Sequence, residues 1–210
     1  ERGYTVGVRE DYGYQSDQYP NVDTPVLFLD NDFRDPDLNR YLDRFREYDP
    51  SVAVLGDAYT PQDTQRYADT ADRLHKEHPR KTYIVAPKSR RVFDALTHTE
   101  SVTLGYPAGY SAVAPGDYST SGDWRGHDVH VLGGSPRVQW EVIRELTGPR
   151  LDDAPPADIV GVDWNGPHKI AYKGEYWSRD GWQPADHLSI RETVQRSLDE
   201  IKVYWQEKGV

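Results

Sequence analysis

Three aspartates, Asp30, Asp57 and Asp163, stand at or just past the ends of short apolar runs. The runs are Val26-Leu27-Phe28-Leu29, Val52-Ala53-Val54-Leu55-Gly56 and Ile159-Val160-Gly161-Val162. Carboxylates at the carboxyl ends of buried strands are where α/β proteins place their chemistry. Brought together in one mouth, such a set fits two kinds of chemistry. In glycosyl transfer one carboxylate is the nucleophile and another carries protons. In phosphoryl chemistry the same oxygens hold magnesium. A plainer role is also open, since aspartates cap helices and make turns.

Other residues add to this set. Lys88 and His168 lie just past strand ends and could neutralise a substrate phosphate. Tyr106, Tyr110 and Trp164 could stack on a base. The turn Gly133-Gly134-Ser135-Pro136 joins a strand to a helix start, where backbone N–H groups can hold a phosphate or simply make a tight turn. His130 alternates with Val129 and Val131 and reads as a satisfied core histidine facing the interior. His75 and His78 read as surface residues at a helix end rather than a metal pair. With no cysteine in the chain, disulfides, zinc thiolates and cysteine nucleophiles are excluded.

The elements that must position these groups follow from apolar patterning. Six apolar runs begin near residues 26, 52, 83, 102, 129 and 159. Their spacing of roughly 20–30 residues suits a strand plus a crossover helix. Tyr4–Val8 is a further candidate strand, and Tyr12, Tyr14 and Tyr19 mark a polar loop after it. Helices are expected after Asp35-Pro36-Asp37, from Thr60-Pro61 to about His78, around 90–96, after Ser135-Pro136 and over roughly 189–207. Segment 106–127, rich in Gly and Pro, reads as a lid or binding loop. Asp152–Pro156 is expected as a loop, and Lys169–Trp177 as part of a β-hairpin with Trp177 and Trp182 covering something. The alternating order predicts α/β and fits both an open doubly wound sheet and a closed or nearly closed barrel. Seven candidate strands with polar ends on nearly all of them favour a (β/α)8-like TIM barrel, incomplete or irregular, with a C-terminal β-hairpin and helix. One domain is expected over 1–210, divided into a strand and loop (1–24), a barrel core (25–165) and a hairpin plus terminal helix (166–210).

Composition narrows the setting. The net charge is −10, and the excess is aspartate over lysine, as in proteins adapted to high salt. An acidic balance argues against nucleic-acid binding in dilute buffer, but counterion release contributes little at molar salt, so the argument weakens there. No apolar stretch approaches a membrane span, and the polar first ten residues read as no secretory leader. Residue 1 is not Met, which points to trimming. A cytoplasmic location, or a host-cell interior for a viral protein, is the expectation; the oligomeric state is open.

The order of these motifs resembles the tRNA-guanine transglycosylases, and more closely their viral DNA-modifying relatives that insert 7-deazaguanines. Leu29-Asp30-Asn31-Asp32-Phe33 stands where that family has an aspartate-led glycine motif, with the glycines lost. Gly56-Asp57-Ala58 matches a base-reading aspartate, and Leu104-Gly105-Tyr106 a pocket-lining segment. Val131-Leu132-Gly133-Gly134-Ser135-Pro136 is similar to the family's strand-to-helix turn. Val162-Asp163-Trp164-Asn165, with His168 and Lys169, stands at its nucleophile segment. The family's cysteine-rich zinc site is absent, which tilts the expected substrate from tRNA towards DNA. The resemblance implies a barrel enzyme that needs no cofactor and exchanges guanine for a 7-deazaguanine. Asp163 would be the nucleophile and Asp30 the proton carrier. Asp57, Gly105, Tyr106, Gly133, Gly134, Asn165, Lys88 and His168 would contact the base or nucleic acid. The alternatives are a magnesium-dependent hydrolase using the same aspartates and a non-catalytic barrel, such as a viral accessory or scaffold protein.

Overall fold

The structure, a computed structural model, describes residues 4–11, 25–151 and 154–209. The tyrosine-rich loop and the start of the Asp152–Pro156 loop lie outside these residues.

Seven strands run in parallel, and each pairs with its neighbour in sequence. They are β1 (Val6–Arg9), β2 (Val26–Asp30), β3 (Val52–Ala58), β4 (Thr82–Pro87), β5 (Thr103–Pro107), β6 (Asp128–Leu132) and β7 (Asp158–Val162). Helices α1 (Leu38–Tyr48), α2 (Pro61–Glu77), α3 (Arg90–Leu96) and α4 (Pro136–Thr147) follow β2, β3, β4 and β6. Beyond β7 come the short α5 (Gly166–Ala171), the hairpin β8 (Glu175–Ser178) and β9 (Gly181–Pro184), and the long α6 (Ile190–Glu207).

The sheet curls into a half-barrel. Phe28 on β2 and His130 on β6 are separated by three intervening strands, yet their rings meet at 5.5 Å across the concave face. It does not close: β1 and β7 are its two edges, so the expected α/β class and parallel sheet stand, and the (β/α)8-like TIM barrel is corrected to an incomplete, open, seven-stranded curl. Closure requires a matched strand number, tilt and stagger, and here the chain after β7 leaves the sheet. Asn165-Gly166-Pro167 starts a helix with proline in its first turn. Lys169–Ala171 is therefore helical, and the hairpin begins only at Glu175.

The main core lies between the convex face and the helices. Leu29, Ala53, Leu55, Tyr83, Val85, Leu104 and Val129 of the strands pack on Tyr41, Phe45, Tyr67, Leu74, Phe93 and Leu146. The helix starts follow their caps. Asp37 accepts from the N–H groups of Asn39 and Arg40, and Thr60 with Asp63 forms a capping box on α2. A second cluster of Trp177, Ile201 and Tyr204, packed with Trp140, Trp164, Leu198 and Trp205, holds α6 and the hairpin together. Tyr4, just before β1, donates its hydroxyl to the Leu198 carbonyl at 2.5 Å, which ties α6 to the opposite end of the chain.

The β5–β6 crossover is not a lid. Tyr118 and Trp124 of this segment are buried in the main core, where Trp124 meets Phe93 and Tyr106 at 4.9 and 4.8 Å. An irregular segment thus fills the layer that a helix fills elsewhere.

Candidate functional site

The carboxyl ends of the parallel strands gather the three aspartates of the sequence reading. Burial pushes the Asp30 carboxyl up to about 7, helped by the negative charges of Asp163 and Asp57. The charges of Asp57 on β3 and Asp163 after β7 therefore reach the Asp30 carboxyl at the end of β2.

Asp163 follows β7 and is held from three sides. Its Oδ1 accepts from the Gly133 N–H at 3.3 Å. His130 Nε2 lies 3.3 Å from the same oxygen, at ion-pair distance but without hydrogen-bond alignment. Its peptide carbonyl accepts from Gln139 Nε2 at 2.7 Å, and that amide also donates to the Gly133 carbonyl at 2.9 Å. Gln139 is 1% exposed and locks the start of α4 to the Asp163 segment. The sequence reading passed over it. Its signal was helical spacing, because Pro136, Gln139, Ile143 and Leu146 share one face and a polar residue there needs partners. Gly133 and Gly134 both have positive φ, 67° and 76°, which lets the turn lie backbone to backbone against Ala108 and Gly109.

Asp57 is paired with Lys88 Nζ at 3.2 Å, and Lys88 also donates to Ser111 Oγ at 3.0 Å. Burial raises the Asp57 carboxyl and Lys88 pulls it back down. Lys88 is itself buried, with Asp57 and Ser111 as its partners.

Other expected site residues are placed differently. Tyr106 points to the helix side, because Gly105 takes the inner face, and it packs on Trp124. A side chain at Gly105 would meet Leu132 at 2.7 Å and Ile84 at 3.0 Å, so the space in front of it is already filled. Trp164 packs on Trp177 and Trp182 at 6.1 and 5.8 Å. Asn165 is an exposed N-cap residue of α5, and His168 is exposed on that helix against Tyr172. Tyr110 is 95% exposed, and Tyr59 and Phe33 are about half-exposed on the loops after β3 and β2. Tyr59 is within electrostatic reach of Asp57 and Tyr110, so exposed rings stand at the rim of the mouth.

Among the described residues no group of three or more His, Asp or Glu stands close enough to hold a metal ion. No helix among them is long and apolar enough to cross a membrane.

The raised Asp30 pKa has a consequence for stability. Between the ordinary 3.8 and about 7 the folded protein keeps a proton that the unfolded chain has released. Stability from this group therefore falls as pH rises through that window. Asp30→Asn removes the effect, so the urea midpoint of the variant gains on wild type from pH 4 to pH 8. A constant difference across that range contradicts a proton-holding Asp30.

One protein-family profile matches residues 1–206, and it is described as a family of unknown function (DUF6610). No curated protein and no solved structure matches the chain.

Proposed function

We propose that this chain, which belongs to the DUF6610 family, is a glycosyl-transfer enzyme that works with a pair of carboxylates. The observation that carries this reading is the contrast between Asp30 and Asp163. Asp30 is pushed up to about 7 by burial and by its neighbour's charge, while Asp163 is held in place by the Gly133 N–H and, through its peptide carbonyl, by Gln139. A carboxyl that holds its proton beside a second carboxyl group fits a division of acid and nucleophile between the two.

The specific reaction is the one implied by the resemblance of the motif order Asp30, Asp57, Gly133-Gly134, Asp163 to the guanine transglycosylases: exchange of guanine for a 7-deazaguanine in nucleic acid, DNA in preference to tRNA. Asp163 attacks C1′ of the nucleotide, and the glycosidic C–N bond breaks with its electron pair passing to the base. Asp30 gives its proton to the departing guanine. The incoming base then attacks C1′, its proton passes to Asp30, and the Asp163 ester is released. The exposed rings of Phe33, Tyr59 and Tyr110 offer stacking faces for an extruded base.

Exchange of labelled guanine into DNA and tRNA, measured at molar salt, tests the reading. Incorporation into either polymer, lost in Asp163→Asn, supports it. No incorporation into either counts against it.

A further inference from the structure

Glu10 is the acidic residue that sequence patterning passed over, and it is the most deeply buried carboxylate among the described residues, at 1% exposure. It sits directly after β1 and grips the segment that carries Asp30 from both sides. Its backbone N–H donates to the Asp30 carbonyl at 3.0 Å. Its Oε1 accepts from the Asp32 N–H at 3.1 Å. Arg40 of α1 reaches the same Oε1 at 3.4 Å and lies 3.8 Å from the Asp32 carboxylate. The second oxygen, Oε2, is buried with no hydrogen-bond partner among the described residues. The side chain also lines a cavity of about 10 Å³, together with Asn31, Tyr41 and Tyr67.

A buried carboxylate with an unserved oxygen is costly. Its contacts give a reason for keeping it. We propose that Glu10 is a positioning residue that clamps Asn31 and Asp32 to the end of β1, and thereby fixes Asp30 in the mouth, with a cavity water serving its second oxygen. The cavity has room for about one water. This inference rests on the reading of Asp30 as the acid of the site, but its readout is not turnover.

The clamp acts through reach rather than charge. Asp30 faces Asp163 after β7, Asp57 on β3 and Arg9 on β1, and Tyr41 of α1 lies within reach of both Asp30 and Glu10. Glu10 faces Arg40 and Tyr41 of α1 and Tyr67 of α2. Two conservative variants separate the possibilities. Glu10→Gln keeps a carbonyl oxygen at the right distance for the Asp32 N–H and loses the charge. Glu10→Asp keeps the charge, but its carboxylate retreats by about one carbon–carbon bond, roughly 1.5 Å, and loses that N–H.

The experiment is a carbon-13 NMR titration of the Asp30 carboxyl in wild type and both variants, with the resonance assigned through Asp30→Asn. In Glu10→Gln, Asp30 is expected to titrate as in wild type. In Glu10→Asp, the freed segment opens the half-buried Asp30 further to water, and it titrates at least about one pH unit lower. A Glu10→Gln shift as large as that of Glu10→Asp, or no shift in either, overturns the proposal. Should Glu10→Asp fail to fold, Glu10→Met, which keeps the length and loses the acceptor for the Asp32 N–H, takes its place: a lowered Asp30 there beside an unchanged one in Glu10→Gln supports the clamp, and the same Asp30 titration in both overturns it. Because guanine exchange is not the readout, a failed clamp and a failed glycosyl-transfer reading give different results.

Discussion

Asp163→Asn is expected to lower guanine exchange by at least about 10⁴-fold while leaving the fold intact. The fold survives because the contacts around this residue do not require its charge. An asparagine carbonyl can still accept the Gly133 N–H, and the peptide carbonyl stays on Gln139. What is lost is the nucleophilic oxygen, since an amide does not form the glycosyl ester. A second effect accompanies it. Asp30 is raised in part by the charge of Asp163, so in the variant it titrates lower than in wild type. Rate and titration therefore move together from one substitution. Exchange within about tenfold of wild type in a folded variant contradicts the role given to Asp163.

Trp124→Ala carries the largest expected cost in stability, about 3–5 kcal/mol, the usual range for deleting a large buried aromatic. The indole is 1% exposed, packs edge-on against Phe93 and Tyr106, and donates its N–H to Ser119 Oγ at 2.9 Å. Its loss empties the layer between the sheet and the β5–β6 crossover and leaves the Ser119 hydroxyl without that donor. Tyr110→Ala, on the same segment but at the exposed rim, is expected to change stability by no more than about 0.5 kcal/mol. Urea unfolding of the two variants checks the contrast. Equal small effects would mean that the crossover is a detachable cover rather than part of the core.

The strands, their order and the three strand-end aspartates could be read from the chain because each signal is local. A buried parallel strand is a short apolar run, and Asp30, Asp57 and Asp163 each close one. Curl and closure are not local. Nothing in Val6–Arg9 or Asp158–Val162 says whether those strands stand at opposite edges or meet. Parity would have corrected Tyr106, since an inward Gly105 turns its neighbour outward. The crossover reads as a lid or binding loop from sequence because Tyr118 and Trp124 bury themselves without the 3.6-residue period that marks a helix. Glu10 escaped notice for the opposite reason. It stands in a charged stretch that looks solvated, and only the pairing of β1 with β2 brings it onto the Asp30 segment.

The most direct test of the site is the intact mass of the protein after incubation with guanine-containing DNA or tRNA at molar salt, quenched in denaturant. The account predicts a covalent nucleic-acid adduct that maps to the peptide containing Asp163 and is absent from Asp163→Asn. Wild-type protein that gains no mass with either polymer, while labelled guanine is likewise not exchanged, would contradict it.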